Sequence, residues 1–154
     1  MPDTPAVKPV SKPPYLYLGF LIAGIVLHFV MPLPIFGRFW VGLSVGLPLV
    51  LAGVLLITWA VRTLLAAHVD PRFRPVENIV SGGPYGYTRN PMYLAFTIIY
   101  TGIAFAVNSF LSFILLPFLL ALMYYGVIRR EERYLEERFG EEYRAYRRRV
   151  RRWI

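Results

Sequence analysis

Two adjacent carboxylates, Glu131 and Glu132, follow directly on a long apolar run. A second polar cluster, Gly82 to Tyr93, is rich in Gly, Pro and Tyr and carries Arg89 and Asn90 at the edge of another apolar run. Charged and polar groups so close to hydrocarbon are costly unless they satisfy one another or bind something. Around Glu131, at about 100° per residue, Ile128, Leu135 and Phe139 form one apolar stripe; Glu132 falls about 40° to one side of its centre and Glu131 about 60° to the other. Both carboxylates thus border a buried face where a span ends. They can pair with Arg129, Arg130 or Arg133, or form i to i+4 pairs along the helix.

The loop admits similar alternatives. Tyr85, Tyr87 and Tyr93 suit a membrane interface or the face of a bound cation. Arg89 can snorkel to phosphates or clamp a carboxylate. Asn90-Pro91 is a favoured N-cap and first-turn pair, and a helix N-terminus also attracts anions. His28 and His68 have no partner at metal-ligand spacing, and the chain has no cysteine, so thiolate chemistry and Cys-ligated zinc are excluded.

The elements that position these residues are membrane helices. Of the 154 residues 56% are hydrophobic, mean hydropathy is +0.49, and the apolar residues come in long runs without polar faces. Spans are expected over about 15–31, 39–66, 92–107 and 110–128. Pro32 and Pro34 end the first, and Pro48 and Pro117 lie inside two others. Asn108-Ser109 makes the last two a helical hairpin. Residues 1–14, with five prolines, read as a disordered arm with no cleavage site after the first apolar run. The rest, 15–154, reads as one domain. The connector from Asp70 to Pro91, about 22 residues, is long for a small protein, as functional loops are.

The expected fold is therefore an all-α integral membrane helical bundle of about four transmembrane helices, with a hairpin and a cytoplasmic amphipathic C-terminal helix over 129–154. In that tail Leu135, Phe139, Tyr143, Tyr146, Val150 and Trp153 keep helical spacing, Gly140 offers a break, and the second half suits the headgroup layer. The net charge of +8 includes ten Arg against six Glu from Arg129 onward. Lys8 and Lys12, then Arg62, Arg72, Arg74 and Arg89, then the tail, place both termini, the long connector and the site on the cytoplasmic side. Connector and tail can then meet. The basic surplus suits an anionic leaflet, and interspersed Glu argues against nucleic acid as partner.

Gly83-Pro84-Tyr85, Arg89-Asn90-Pro91-Met92-Tyr93, Glu131-Glu132, Leu135, Phe139-Gly140 and Tyr143 together resemble the isoprenylcysteine carboxyl methyltransferase and phospholipid methyltransferase superfamily of integral membrane enzymes. The resemblance covers about 73–150. Asn90 stands where the family loop usually has His, so no proton chemistry is assigned to it. After Tyr146 the chain runs Arg147-Arg148-Arg149-Val150-Arg151-Arg152 instead of the Pro-containing segment of the isoprenylcysteine branch.

The resemblance implies S-adenosylmethionine as cofactor, bound by Gly83, Pro84, Tyr85, Arg89, Asn90, Tyr93, Glu131 and Glu132. Tyr85 and Tyr93 would line the pocket, Asn90 would meet polar groups of the cofactor, and a glutamate its ammonium or ribose. A carboxylate acceptor would be held by Arg129, Arg133 or Arg89; an amine acceptor would give its proton to Glu131 or Glu132. The acceptor would be a lipid or lipophilic small molecule, and the lateral surface of so short a bundle leaves room for a homodimer. Two other readings remain: an NADPH-dependent sterol-type membrane reductase, which shares a similar loop, and a non-catalytic adaptor whose basic tail gathers anionic lipids.

Overall fold

The structure, a computed structural model, describes residues 13–70 and 78–153. The N-terminal arm as far as Lys12, and Arg72 and Arg74 of the connector, lie outside the described residues. Among the described residues six helices follow in order: α1 (Pro13–Val30), α2 (Phe39–Ala66), α3 (Pro91–Ala106), α4 (Phe110–Met123), α5 (Arg129–Phe139) and α6 (Glu141–Arg149). A 3-10 turn, Gly83–Gly86, precedes α3, and a π-helical turn, Tyr124–Ile128, joins α4 to α5. Pro13 and Pro14, expected in the arm, instead open α1, because proline is tolerated in a helix's first turn, where the N–H groups have no helical partner.

The chain is an all-helical membrane bundle. Three helical stretches, Pro13–Val30, Phe39–Ala66 and Phe110–Phe139, are long and apolar enough to cross a membrane, and Pro91–Ala106 is a shorter apolar helix. At 1.5 Å per residue the last is about 24 Å long, short of a typical hydrocarbon core of about 30 Å. It is also the bundle's centre: Tyr93, Ala95, Tyr100, Gly102 and Ala104 are buried on it. Large apolar side chains such as Ile22, Trp40, Leu51, Leu55 and Phe118 face outward, as hydrocarbon requires and water would not.

Helices α2 and α3 pack through small residues. A Cβ on Gly102 would stand 2.8 Å from the Gly46 carbonyl oxygen. Backbones approach that closely only where both helices carry glycine or alanine, the usual association mode in lipid, where burying apolar area drives nothing. The far end of the bundle is tied by Asn108. Its φ of 59° makes the turn between α3 and α4. Its side chain accepts from the Ile35 and Phe36 N–H groups at 2.9 and 2.8 Å and donates to the Phe36 carbonyl at 2.9 Å. Ser109 caps α4 by accepting from Ser112 N–H at 3.2 Å, as a helix whose first N–H groups lack partners needs. The expected hairpin is present. His28 of α1 keeps Nδ1 buried without a hydrogen bond among the described residues.

The tail is not a single helix. Gly140, at φ 54°, breaks it, in a region of φ/ψ open mainly to glycine. Helix α6 then folds back so that Tyr143, Tyr146 and Val150 pack on Ile79, Leu135 and Phe139. The apolar face expected to lie on headgroups is buried against protein, because the connector offers it a closer apolar partner. The outer face carries exposed ion pairs, Arg148 and Arg144 to Glu141 and Arg147 to Glu136, at 2.7, 2.9 and 3.1 Å. Such solvated pairs contribute little to stability.

Candidate active site

The site forms where the loop before α3, the start of α5 and the segment after α6 converge. Gly83, at φ 54°, opens the 3-10 turn, and any Cβ there would meet Thr63 Oγ1 at 2.5 Å, so the loop seats on α2 only with glycine. Pro84 is fully buried beneath it. Tyr85 is held from behind: the Tyr146 hydroxyl donates to its carbonyl at 2.8 Å. Burial, then Tyr146, then Glu131 push the Tyr85 phenol up, so it stays neutral.

After α6 the chain turns extended and docks alongside the loop. Thr88 and Arg151 form a parallel bridge, Arg89 N–H donates to the Arg151 carbonyl at 2.9 Å, and the Arg152 carbonyl accepts from Thr88 Oγ1 at 3.0 Å and Asn90 Nδ2 at 3.1 Å. Asn90 occupies the N-cap position of α3, but its side chain makes no cap bond; its amide holds this strap instead. Trp153 packs onto the core formed by Tyr17, Tyr93, Met123 and Ile128.

The two glutamates have different fates. Glu132 is 8% exposed and carries two arginines. Arg152 donates through Nε to Oε1 at 2.9 Å and through Nη2 to Oε2 at 2.7 Å, while Arg89 Nη2 reaches Oε1 at 3.0 Å. The fork from Arg152 is the strong bidentate form. Its guanidinium also lies 5.0 Å from the centroid of the Tyr124 ring. Glu131 pairs with no arginine among the described residues; it accepts the Tyr93 hydroxyl at 2.7 Å. Burial pushes the Glu131 carboxyl up, the Tyr93 hydrogen bond pulls it back, and the charge of Glu132 adds to the rise, leaving it at about 7. Helix α1 steadies the pair: Tyr17 Oη donates to the Tyr93 carbonyl at 3.2 Å and lies 2.9 Å from Thr97 Oγ1.

Among the described residues, Arg89 is the buried cation whose donors are left open. Its side chain is 7% exposed, and Nε and Nη1 are buried with no hydrogen-bond partner among those residues. A buried donor left unmade costs about 1–3 kcal/mol, so two on one arginine indicate a group that the described residues do not supply.

Arg129 and Arg133, by contrast, are exposed. Arg129 lies 5.8 Å from the centroid of the outward-facing Tyr125 ring, four residues earlier on the same helical face. Two of the three expected cations for an acceptor carboxylate are therefore directed outward, while Gly83, Pro84, Tyr85, Arg89, Asn90, Tyr93, Glu131 and Glu132 gather at the loop and the start of α5. Sequence reasoning missed Arg152, Thr88 and Tyr17. Arg152 was hidden in an arginine run that reads as a solvated face, and only the turn after Arg149 distinguishes it.

The profile of the phospholipid methyltransferase family matches residues 41–142, about two thirds of the chain. This chain belongs to the phospholipid methyltransferase family. The matched stretch contains the loop, Arg89, Tyr93 and both glutamates; Tyr17 and Arg152 lie outside it. Among curated relatives, the cobalt-zinc-cadmium resistance protein CzcN of Cupriavidus metallidurans is 31% identical over 118 residues, 76% of this chain and 55% of that protein. An uncharacterised protein of Haemophilus influenzae is 63% identical over 27 residues, 18% of this chain and 43% of its own. The chain thus spans about half the length of the curated relatives it matches. No solved structure matches it.

Proposed function

We propose that this member of the phospholipid methyltransferase family transfers a methyl group from S-adenosylmethionine to a lipid or lipidated acceptor, at a site on the cytoplasmic face. The observation that carries the reading is the pairing of Arg89, with two buried open donors, and Glu131, a carboxylate held by a tyrosine rather than an arginine. The amino-acid end of the cofactor is a zwitterion: it offers a carboxylate for an open donor of Arg89 and an ammonium for Glu131. The neutral tyrosines Tyr85 and Tyr93 supply electron-rich walls for a cation. When bound, the cofactor supplies an already activated methyl, so this chain's contribution is positioning and electrostatics.

Glu131 suits a second task. A carboxyl poised at about 7 is matched to take a proton from an amine acceptor near neutral pH. Glu132, bridged by two arginines, serves as the fixed anion that joins loop, α5 and strap. With Arg129 and Arg133 turned outward, Arg89 is the only one of the three cations considered for an acceptor carboxylate that lies at the site. That favours an amine acceptor entering between helices from the bilayer. Because the loop and the tail bond to each other, they share one side of the membrane, and the arginine-rich tail argues that it is the cytoplasmic side.

The test is transfer of labelled methyl from S-adenosylmethionine by purified protein in nanodiscs containing phosphatidylethanolamine or a prenylcysteine. Label appearing in the amine lipid, and falling at least about a hundredfold with Glu131→Gln, is the expected result for a base that typically contributes about 10²–10⁴-fold. Label in the prenylcysteine alone would instead assign a carboxylate acceptor. Oxidation of NADPH with a sterol substrate and no methyl transfer would replace the reading with a reductase.

A further inference from the structure

The Arg89–Glu132–Arg152 cluster holds two cations and one anion in an enclosed polar region of the bundle, with side-chain exposures of 7%, 11% and 26%. It is one negative charge short of neutrality. The shortfall is localised: Arg152 uses Nε and Nη2 on Glu132, whereas Arg89 uses only Nη2 and keeps Nε and Nη1 open. Arginine forks pair most favourably with a carboxylate two bonds at a time. With the Arg152 fork laid across both oxygens, Arg89 reaches only Oε1, through Nη2 alone, and cannot set a second fork across the same pair.

We propose that Arg152 is a positioning residue: by laying its own fork across both oxygens of Glu132 it holds Arg89 to a single bond there and leaves Arg89 Nε and Nη1 as open donors for an oxyanion of the bound ligand. Arg152 lies beyond the family-matched stretch 41–142. It is set in place by backbone contacts of the strap, Arg89 N–H to the Arg151 carbonyl and the Thr88 and Asn90 side chains to the Arg152 carbonyl. The same loop that carries the receptor thus fixes the residue that keeps it open. The oxyanion is either the cofactor's carboxylate or the phosphate of a lipid acceptor, which present the same chemistry to a guanidinium. The inference rests on the methyltransferase reading for the identity of the ligands.

The experiment measures binding to wild-type, Arg152→Ala and Arg152→Lys protein in detergent. The probes are S-adenosylmethionine, its decarboxylated analogue, and a short-chain phosphatidylethanolamine. If the cofactor carboxylate meets these donors, wild-type protein prefers S-adenosylmethionine to the decarboxylated form by about tenfold or more, as a charge-assisted pair implies. Arg152→Ala erases that preference while leaving the decarboxylated form bound as before, and Arg152→Lys restores part of it. If lipid phosphate meets these donors, both nucleosides bind alike and the short-chain lipid alone is weakened by Arg152→Ala. Equal loss of all three probes would show the strap to be only structural and overturn the proposal. So would unchanged binding of all three. Failure of wild-type protein to bind either nucleoside would instead overturn the methyltransferase reading. Retention of the wild-type melting temperature within a few degrees in Arg152→Lys separates these outcomes from misfolding.

Discussion

Binding of S-adenosylhomocysteine is expected to strengthen by about tenfold or more between pH 5.5 and 7.5, and Glu131→Gln is expected to flatten that dependence. The cause is the carboxyl of Glu131, raised to about 7 by burial and by Glu132 against the pull of Tyr93. Below that pH it is protonated and cannot meet an ammonium. Binding must then release a proton, which calorimetry in buffers of different ionisation enthalpy reads directly. The sign for stability is opposite. A carboxyl whose folded value lies above its unfolded value holds more protons in the folded state, so the unliganded protein loses stability as pH rises from about 4.5 to 7. Glu131→Gln removes that slope while lowering affinity about tenfold to a hundredfold, the weight of a charge-assisted hydrogen bond. An affinity that is flat with pH in wild-type protein would mean that Glu131 does not touch the ligand.

Glu132→Ala is expected to damage the fold itself. It strands Arg89 and Arg152 as two like charges in a poorly hydrated junction, and breaking a buried pair from one side costs about 3–5 kcal/mol. For a chain of this size that is about 10 °C in melting temperature. Glu132→Gln, with one acceptor oxygen and no charge, should lose less. Adding Arg152→Leu to Glu132→Ala should recover part of the loss, because it removes one of the stranded cations. Thermal unfolding in detergent, arranged as a double-mutant cycle, checks all three. Additive losses would show that Arg152 and Glu132 are not coupled.

These contrasting roles mark where sequence reasoning reached and where it stopped. Hydropathy and proline placement located the apolar helices within a few residues, because hydrocarbon leaves the chain few options. The hairpin at Asn108-Ser109 was legible for the same reason. The start of α1 was not: Pro13 and Pro14 are equally at home in an extended arm and in a first helical turn. The tail was half legible. Its stripe at helical spacing, from Leu135 through Phe139 and Tyr143 to Tyr146, announces an apolar face, but not whether lipid or protein covers it. That depended on Gly140 turning α6 back onto Ile79, a tertiary event.

The site shows the same boundary. Placing Glu131 and Glu132 on opposite flanks of one stripe follows from helix geometry, but both flanks border the buried face, so either carboxylate could face the site. Which carboxylate takes the arginines depends on Arg152, delivered by a strap paired to the loop across more than sixty residues of sequence. The π-turn at Tyr124–Ile128, inserted between α4 and α5, also has no signature in composition, although such turns commonly occur at functional sites. Arg129 and Arg133 were candidates by proximity to the glutamates, and the helix turns them outward.

In the proposed site Arg89 and Glu131 together receive the amino-acid end of S-adenosylmethionine. The most direct measurement is calorimetric titration of wild-type protein, Arg89→Ala and Glu131→Gln with S-adenosylhomocysteine at pH 7.5, with NADPH as the control ligand. Micromolar binding to wild-type protein, a loss of at least about tenfold in each variant, and no binding of NADPH are expected. Wild-type affinity retained in both variants, or binding of NADPH in place of S-adenosylhomocysteine, would contradict that assignment.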